Sequence, residues 1–291
     1  MRHLLLFILL LTLMPVALPA QSDPSPYALY NQDGKRTKFK KLVKAARKAD
    51  VILFGESHND AIVHWLQYNL ALHLSRKLSP PKLTIGMEMF ESDQQEVLND
   101  YLAGKVEVKA IDAVGEGLWN NFKTDYKPLV DWAAKNDVAV VATNVPRKYA
   151  RVVFRGGFDA LNEVSAAEKA LLPPLPIPYD ATLPGYVRML EMMPGGHGGE
   201  TFPMAQAIKD ATMAHFIVAS KKPGVPFLHL NGSYHSDDYE GIGWYLKKYA
   251  PELKVMTITT IEEKDPSQLS TGNRGKADFT IVVSEMLGKT Y

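Results

Sequence analysis

Short apolar runs alternate with amphipathic stretches along most of the chain. Six runs of mainly apolar residues predict buried strands at 51–54, 83–89, 138–143, 227–230, 255–261 and 279–283. Between several of these runs apolar residues recur at helical spacing, as in the stripe formed by Ile62, Leu66 and Leu70. Strands that alternate with helices are typical of a mostly parallel sheet. We therefore predict an α/β fold in which helices flank a mostly parallel central sheet.

The alternation stops between residues 156 and 202. Six prolines occur from Pro173 to Pro194, and the stretch GGHGG follows at 195–199. Proline is excluded from ordinary helix interiors, and glycine permits unusual backbone angles. An irregular segment of this length is usually a lid, a binding lobe or a disordered insert. We predict a core domain formed by residues 21–155 and 203–291, with a smaller helical or irregular lobe or lid inserted at 156–202.

The first twenty residues have the order of parts found in a secretory signal peptide. A short basic start, MRH, precedes an apolar run at 4–13 and the stretch PVALPAQS. The apolar run is too short to cross a bilayer. We expect residues 1–20 to be a signal peptide cleaved after Ala20, and the mature chain to be exported. No later segment has the length and apolar character of a transmembrane helix, so we expect the mature protein to be soluble.

Charge and cysteine content narrow the classes of partner. The chain has 33 basic and 32 acidic residues, and Arg2 is the one charged residue within the first twenty. The expected mature chain is therefore neutral, whereas nucleic-acid-binding proteins usually carry a basic face, and we predict no nucleic-acid partner. Cysteine is absent, so the sequence provides neither disulfides nor a thiol for lipid attachment.

Two stretches repeat the spacing Gly-x-x-His directly after an apolar run: FGESHND at 54–60 and NGSYHSDD at 231–238. The polar pairs that follow, 59–60 and 236–237, are predicted to cap the next helices. Because the carboxyl ends of parallel strands lie at one edge of a sheet, both motifs are predicted to reach one pocket. The residues placed there are Glu56, His58, Glu88, Asn144, Arg147 and His235.

This residue set suits either a divalent metal or acid–base chemistry. His58, His235 and Glu88 would be the ligands of such a metal. Glu88 lies inside an apolar strand, where a buried charge costs several kcal/mol unless it is paired or bound. A structural ion pair with Arg147 is the alternative role for Glu88. Each histidine alone is equally consistent with a hydrogen-bonded loop residue, but the repeated glycine and cap weaken that interpretation for the pair. A purely structural network at the sheet edge is the third hypothesis.

Three further polar positions fall on predicted helices. Asp210 lies beside the apolar face of a helix at 202–217, where it either points toward the pocket or is an ordinary solvated carboxylate. On its own the position favours the solvated carboxylate. His64 and His73 fall away from the apolar stripe of their helix and are predicted at the surface.

Tyrosine can hold ferric haem as a phenolate, and the irregular lobe contains two candidates, Tyr179 and Tyr186. His197 lies in the glycine-rich stretch with Met193 nearby, and both residue types can ligate haem, although methionines at this spacing more often serve packing. Covalent c-type haem attachment is excluded because the chain has no Cys-x-x-Cys-His motif.

The motifs GESH, GMEMF, TNVPR, KDATMA and NGSYH occur in an order that resembles the ChaN-like family of exported bacterial haem-binding proteins. The resemblance extends from about residue 51 to residue 245. It implies an α/β fold with a smaller helical lobe, haem held by a tyrosine, a part in haem or iron acquisition with an outer-membrane uptake system, and haem-linked homodimers. On this resemblance Tyr186 is the first candidate haem ligand. Members are often lipoproteins, and since the chain lacks the lipobox cysteine, we expect a soluble periplasmic protein.

The same motifs also resemble the wider group of Tiki/TraB-like and erythromycin-esterase-like proteins. That resemblance implies that His58, His235 and Glu88 serve in metal-dependent or general-base hydrolysis. Two functions therefore stand beside each other: haem binding without turnover, and a metal-dependent hydrolase of esters or peptides. The motif set matches the haem-binding family best, so haem binding is the leading hypothesis.

Overall fold

A computed structural model describes residues 25–75, 83–192 and 199–291. The predicted signal peptide lies outside these residues. The strands are β1 (Tyr27–Asn31), β2 (Val51–Glu56), β3 (Thr84–Glu91), β4 (Ala139–Asn144), β5 (Phe227–Gly232), β6 (Val255–Glu263) and β7 (Phe279–Ser284).

The described strands form one sheet in the order β1-β7-β6-β2-β5-β3-β4. Every neighbouring pair is parallel except β1 and β7, which are antiparallel. This arrangement confirms the predicted α/β fold with a mostly parallel sheet. All six predicted strands are present, and each extends one or two residues further at its carboxyl end than its apolar run. The extra residues include the polar side chains of Glu56, Glu91, Asn144 and Asn231 at the sheet edge.

Helices cover the sheet. The α-helices are α1 (Phe39–Ala46), α2 (Ala61–Ser75), α3 (Gln95–Leu102), α4 (Val108–Asp112), α5 (Lys127–Lys135), α6 (Arg147–Gly156), α7 (Ala166–Lys169), α8 (Pro184–Glu191), α9 (Thr201–Ser220) and α10 (Ile242–Tyr249). Short 3₁₀ turns are Ser92–Gln94, Phe158–Glu163, Ser233–His235, Asp237–Tyr239 and Thr271–Asn273, and Phe122–Tyr126 is a π-helical turn.

The central strands are buried on both faces. In β2, Ile52 and Phe54 pack into one apolar cluster, while Val51 and Leu53 pack into a second cluster on the opposite face. Continuous burial of this kind is the reason that strands of a parallel sheet appear in the sequence as unbroken apolar runs. In the part of the chain that is described, no helix has the length and apolar content needed to cross a membrane.

The irregular segment packs against the second cluster. Leu161, Leu172, Tyr186 and Met189 are buried there against α9. Helix α8 therefore has an inner face joined to the core and an outer face in solvent. The boundaries of the inserted lobe stay a prediction.

Gln95 bonds a strand instead of capping its own helix. Ser92 and Gln95 have the spacing of a capping box, but the cap is formed one residue earlier, by Glu91 and Gln94. The side chain of Gln95 instead bonds β4, accepting from the Ala142 N–H at 2.7 Å and donating to the Val140 carbonyl at 3.2 Å. The Gln95 amide therefore hydrogen-bonds along the outer edge of β4, the last strand in the sheet.

Candidate functional site

The carboxyl ends of the parallel strands enclose a cavity of about 300 Å³. It is lined by His58, Glu88, Glu91, Trp119, Asn144, Val145, Arg147, Lys209 and His235. Five of the seven predicted site residues therefore line one cavity. The other two, Glu56 and Asp210, lie directly behind it, where they contact the two histidines.

The two Gly-x-x-His motifs pack against each other. A Cβ placed on Gly55 would lie 2.8 Å from the Cα of Ser233, and one on Gly232 would lie 2.7 Å from Nε2 of His58. Each glycine therefore leaves the space that the other motif occupies. This mutual packing gives a physical reason for the repeated spacing that the sequence shows.

His58 is held by a buried carboxyl group. Its Nδ1 lies 2.9 Å from Oε1 of Glu56. The carboxyl is fixed in turn by the Tyr126 hydroxyl and the Gln67 amide, each donating at 2.5 Å. Burial disfavours the charged imidazole, but the hydrogen bond to Glu56 and the charge of Glu88 outweigh it and raise the pKa of His58. The side chain is 32% exposed, and its Nε2 lies over Gly232 at the cavity wall.

His235 lies between two buried carboxylates. Its Nδ1 is 2.5 Å from Oδ1 of Asp210, and its Nε2 is 3.2 Å from Oε1 of Glu88. Burial alone would lower the pKa of the ring, but the two carboxylates outweigh burial and raise it to about 10. His235 is therefore an imidazolium at neutral pH, and it is enclosed in the protein.

The two carboxylates differ in how well they are compensated. Burial raises the pKa of both carboxyl groups. At Glu88 three partners outweigh burial and lower the pKa: the charge and hydrogen bond of His235, the charge of His58, and the Gly232 N–H. Asp210 lacks the backbone donor, and burial leaves its pKa raised in spite of His235. Glu88 thus carries the firmer negative charge of the two.

The predicted interpretation of Asp210 as a solvated carboxylate is wrong. The residue is 1% exposed on α9, and its Oδ2 accepts a hydrogen bond of 3.4 Å from the Tyr186 hydroxyl. The suggested ion pair between Glu88 and Arg147 is also absent. Arg147 lies 3.5 Å from Glu91 and 3.3 Å from Glu116, because α6 begins at Arg147 and directs it along the outer rim.

One of the two predicted helix caps is formed. Asp60 accepts from the backbone N–H groups of Ile62 and Val63 at 2.9 and 3.1 Å, at the start of α2. The second pair does not cap a helix, since α10 begins only at Ile242 and Asp237 instead accepts from the Thr259 hydroxyl. The chain after the second motif makes a 3₁₀ turn before the helix starts.

Several site residues escaped the sequence analysis. His64 was placed at the surface but is 6% exposed, with Nε2 3.0 Å from the His58 carbonyl. His229 lies in β5 beneath the cavity, between the Thr143 hydroxyl at 2.8 Å and Oδ1 of Asn231 at 3.0 Å. Burial lowers the pKa of His229 to about 4, so its ring is neutral. The sequence did contain a signal for His229, because it is a polar residue inside the apolar run FLHL, just as Glu88 is a polar residue inside an apolar strand.

The metal interpretation of His58, Glu88 and His235 gains no support from their arrangement. Within residues 25–75, 83–192 and 199–291, no group of three His, Cys, Asp or Glu side chains is arranged to hold a metal ion. The Glu88 oxygens are used by His235 and by the Gly232 N–H, and Nδ1 of His58 is used by Glu56. The arrangement is a hydrogen-bonded network rather than an open ligand set.

Residues 42–246 match the family model described as "Haem-binding uptake, Tiki superfamily, ChaN". The chain belongs to this family. The match covers well over half of the chain and includes both Gly-x-x-His motifs and the lobe.

Solved structures support the fold of this family member. A ChaN from Campylobacter jejuni, described by its cofacial haem binding, is 17% identical and superposes with a TM-score of 0.66 over 88% of this chain and 96% of that one. A protein from Bacillus cereus is 11% identical, with a TM-score of 0.50 over 85% of this chain and 92% of its own. At these identities the likeness establishes the fold.

A curated relative matches over a shorter region. The chloroplastic protein RETICULATA-RELATED 5 of Arabidopsis thaliana is 23% identical over 154 residues, which is 50% of this chain and 21% of that protein. The chain thus spans about a fifth of the length of this relative.

The predicted haem ligands of the family member lie in unequal surroundings. Tyr186 is 4% exposed, and burial together with the Asp210 charge raises its pKa far above the ordinary value. Tyr179 is half-buried, with its ring stacked on Tyr186 at 5.6 Å, and its hydroxyl makes no hydrogen bond to the described residues. Burial raises the pKa of Tyr179 as well. His197 and Met193 lie outside the described residues.

Proposed function

We propose that the protein binds haem at the lobe, through a tyrosine, and takes part in haem or iron uptake. Family membership supports the ligand class. The structural observation that carries the proposal is the outer face of α8 and its end, where Val187, Leu190 and Met192 are 39%, 41% and 62% exposed. Exposed apolar side chains grouped in this way are characteristic of binding surfaces.

The residues present fit a porphyrin at this surface. An apolar macrocycle would cover Val187, Leu190 and Met192 and so remove them from water. Ferric iron binds a phenolate, and Tyr179 offers a hydroxyl that is neither fully buried nor engaged with a described residue. Tyr186 would first have to leave Asp210 and the core. We therefore place Tyr179 ahead of Tyr186 as the ligand.

The proposal includes the cellular setting. The sequence pattern and the family support four parts of this proposal: export by the N-terminal signal peptide, a soluble periplasmic location, haem-linked homodimers and an outer-membrane uptake partner. Gel filtration of the protein with and without haemin tests the dimer directly.

A haemin titration of the chain from Gln21 tests the ligand. We expect wild type and Tyr186→Phe to give a saturating ferric-tyrosinate spectrum, and Tyr179→Phe to lose the charge-transfer band. Each replacement removes only the hydroxyl, so the ring packing is kept. Loss of the band in Tyr186→Phe alone would restore the original assignment, and absence of a saturating spectrum in wild type would refute haem binding.

One observation favours hydrolysis as a second candidate function. The Glu56–His58 pair holds Nε2 of His58 at the cavity wall, as a general base requires, and this base needs no metal. Turnover of an activated ester such as p-nitrophenyl acetate, lost in His58→Ala and kept in His73→Ala, would support it. Because the pKa of His58 is raised, the rate is expected to increase with pH as the ring loses its proton. A wild-type rate equal to that of His58→Ala would exclude it.

A further inference from the structure

Asn144 leaves a buried acceptor at the cavity without a partner. Its Nδ2 donates to the Glu88 carbonyl at 3.0 Å, and this bond fixes which end of the amide is the oxygen. The Oδ1 atom is buried and has no hydrogen-bond partner among the described residues. An unsatisfied buried acceptor costs roughly 1–3 kcal/mol, so a donor is expected to fill this position.

Among the described residues that line the cavity, Lys209 is a cation without an ion-pair partner. It projects from α9 and is partly buried, and no carboxylate of the described chain lies within ion-pair distance of its ammonium group. Arg147, by contrast, is engaged by Glu91 and Glu116. A lysine ammonium acts as a mobile point charge with three donors, and it attracts an anionic group that enters its surroundings.

The acidic groups of the wall are already compensated. Both oxygens of Glu88 have partners, in His235 and in the Gly232 N–H. Glu91 accepts from the Arg147 N–H at 3.0 Å. Among the described residues the wall therefore offers a ligand the Lys209 ammonium, the Asn144 amide oxygen and Nε2 of His58. The first two call for an anion and a hydrogen-bond donor on the same molecule.

Size and shape limit that molecule further. A cavity of about 300 Å³ holds roughly ten water-sized groups, far fewer than the atoms of a porphyrin. Trp119 contributes an apolar wall, with its ring 4.7 Å from that of His58. We propose that this cavity binds a small hydroxycarboxylate, whose carboxylate pairs with Lys209 and whose hydroxyl donates to Oδ1 of Asn144. This site is separate from the proposed haem surface on α8.

Three probes that differ by one group test the assignment by calorimetry on the chain from Gln21. Lactate has both groups, propionate lacks the hydroxyl, and propane-1,2-diol lacks the carboxylate. We expect lactate to bind roughly fivefold to tenfold more tightly than propionate, the ratio that one hydrogen bond of about 1 kcal/mol gives. Propane-1,2-diol has no charge to pair with Lys209 and is also expected to bind more weakly than lactate. Inorganic phosphate, an anion of similar size, is the fourth probe.

Two variants separate the contributions of the wall. Lys209→Met is expected to weaken lactate and propionate alike, whereas Asn144→Ala is expected to abolish the preference for lactate over propionate. Lys44→Met, an exposed lysine of α1, is the matched control and keeps wild-type binding. Haemin titration of Lys209→Met is expected to match wild type, so a failure at the cavity is distinguishable from a failure of the haem proposal.

Three results would contradict the proposed hydroxycarboxylate site. Absence of lactate binding in wild type at millimolar concentrations would overturn the site. Lactate binding unchanged in Lys209→Met would place the anion elsewhere. Phosphate binding as tight as that of lactate would reduce the cavity to a simple charge site and overturn the hydroxycarboxylate assignment.

Discussion

The buried imidazolium of His235 makes the stability of the protein depend on pH. Its pKa in the folded protein is about 10, against an ordinary value of 6.5. Because the folded-state pKa is the higher one, the protonated ring contributes its full stabilisation below pH 6.5 and loses it as the pH rises toward 10. At about 1.4 kcal/mol per unit, the full contribution is on the order of 5 kcal/mol, of which about 3 kcal/mol is lost between pH 6.5 and 9.

Replacing Glu88 by Gln removes one of the two carboxylates that hold the charge on His235. Breaking a buried ion pair typically costs about 3–5 kcal/mol, and we expect a loss of stability in this range at pH 7. The pKa of His235 is expected to fall in the variant, since Asp210 alone then opposes burial. The decline in stability between pH 6.5 and 9 is therefore expected to be smaller than that of wild type.

Urea unfolding followed by tryptophan fluorescence at several pH values measures both effects. Glu252→Gln, at an exposed turn, controls for the loss of one carboxylate and keeps the wild-type pH profile. A wild-type stability that stays constant from pH 6.5 to 9 would refute the buried imidazolium. An unchanged pH profile in Glu88→Gln would show that Glu88 does not hold the charge.

Two further substitutions test the packing of the site. Gly232→Ala places a methyl group 2.7 Å from Nε2 of His58, and we expect a loss of about 1–3 kcal/mol in unfolding free energy. An unchanged unfolding free energy would contradict the close contact. Tyr126→Phe removes the hydroxyl donor to the buried Glu56 carboxyl. We expect the free energy of unfolding, measured in urea, to fall by about 1–3 kcal/mol. An unchanged free energy would mean that the hydroxyl does not stabilise the carboxyl.

The sheet and its polar rim could be predicted from the sequence because both follow from local pattern. Apolar runs marked six strands, and parallel order places the residues after each run at one edge. His58, Glu88 and His235 were found in this way and line one cavity. The repeated glycine spacing carried additional information, since each glycine makes room for the opposite motif.

The contributions of the helices could not be predicted in the same way. Lys209 and Asp210 are neighbours on α9, yet one lines the cavity and the other is buried behind it. Which side of a helix faces the rim depends on how the helix packs, and periodicity alone does not determine that orientation. Tyr126 reaches Glu56 from a π-helical turn, a geometry without a recognisable sequence signal. The haem ligand stayed undecided for a related reason, because the irregular lobe has no repeating pattern to anchor an assignment.

The amide of Gln95 has a consequence for solubility. Strand β4 ends the sheet on one side, and the edge of a sheet offers unpaired N–H and carbonyl groups to which another chain can add. The side chain of Gln95 occupies one such donor and one such acceptor, at Ala142 and Val140. These two bonds replace bonds that a neighbouring strand would make, so another chain cannot pair with this part of the β4 edge. The protection requires neither a charged side chain nor a proline.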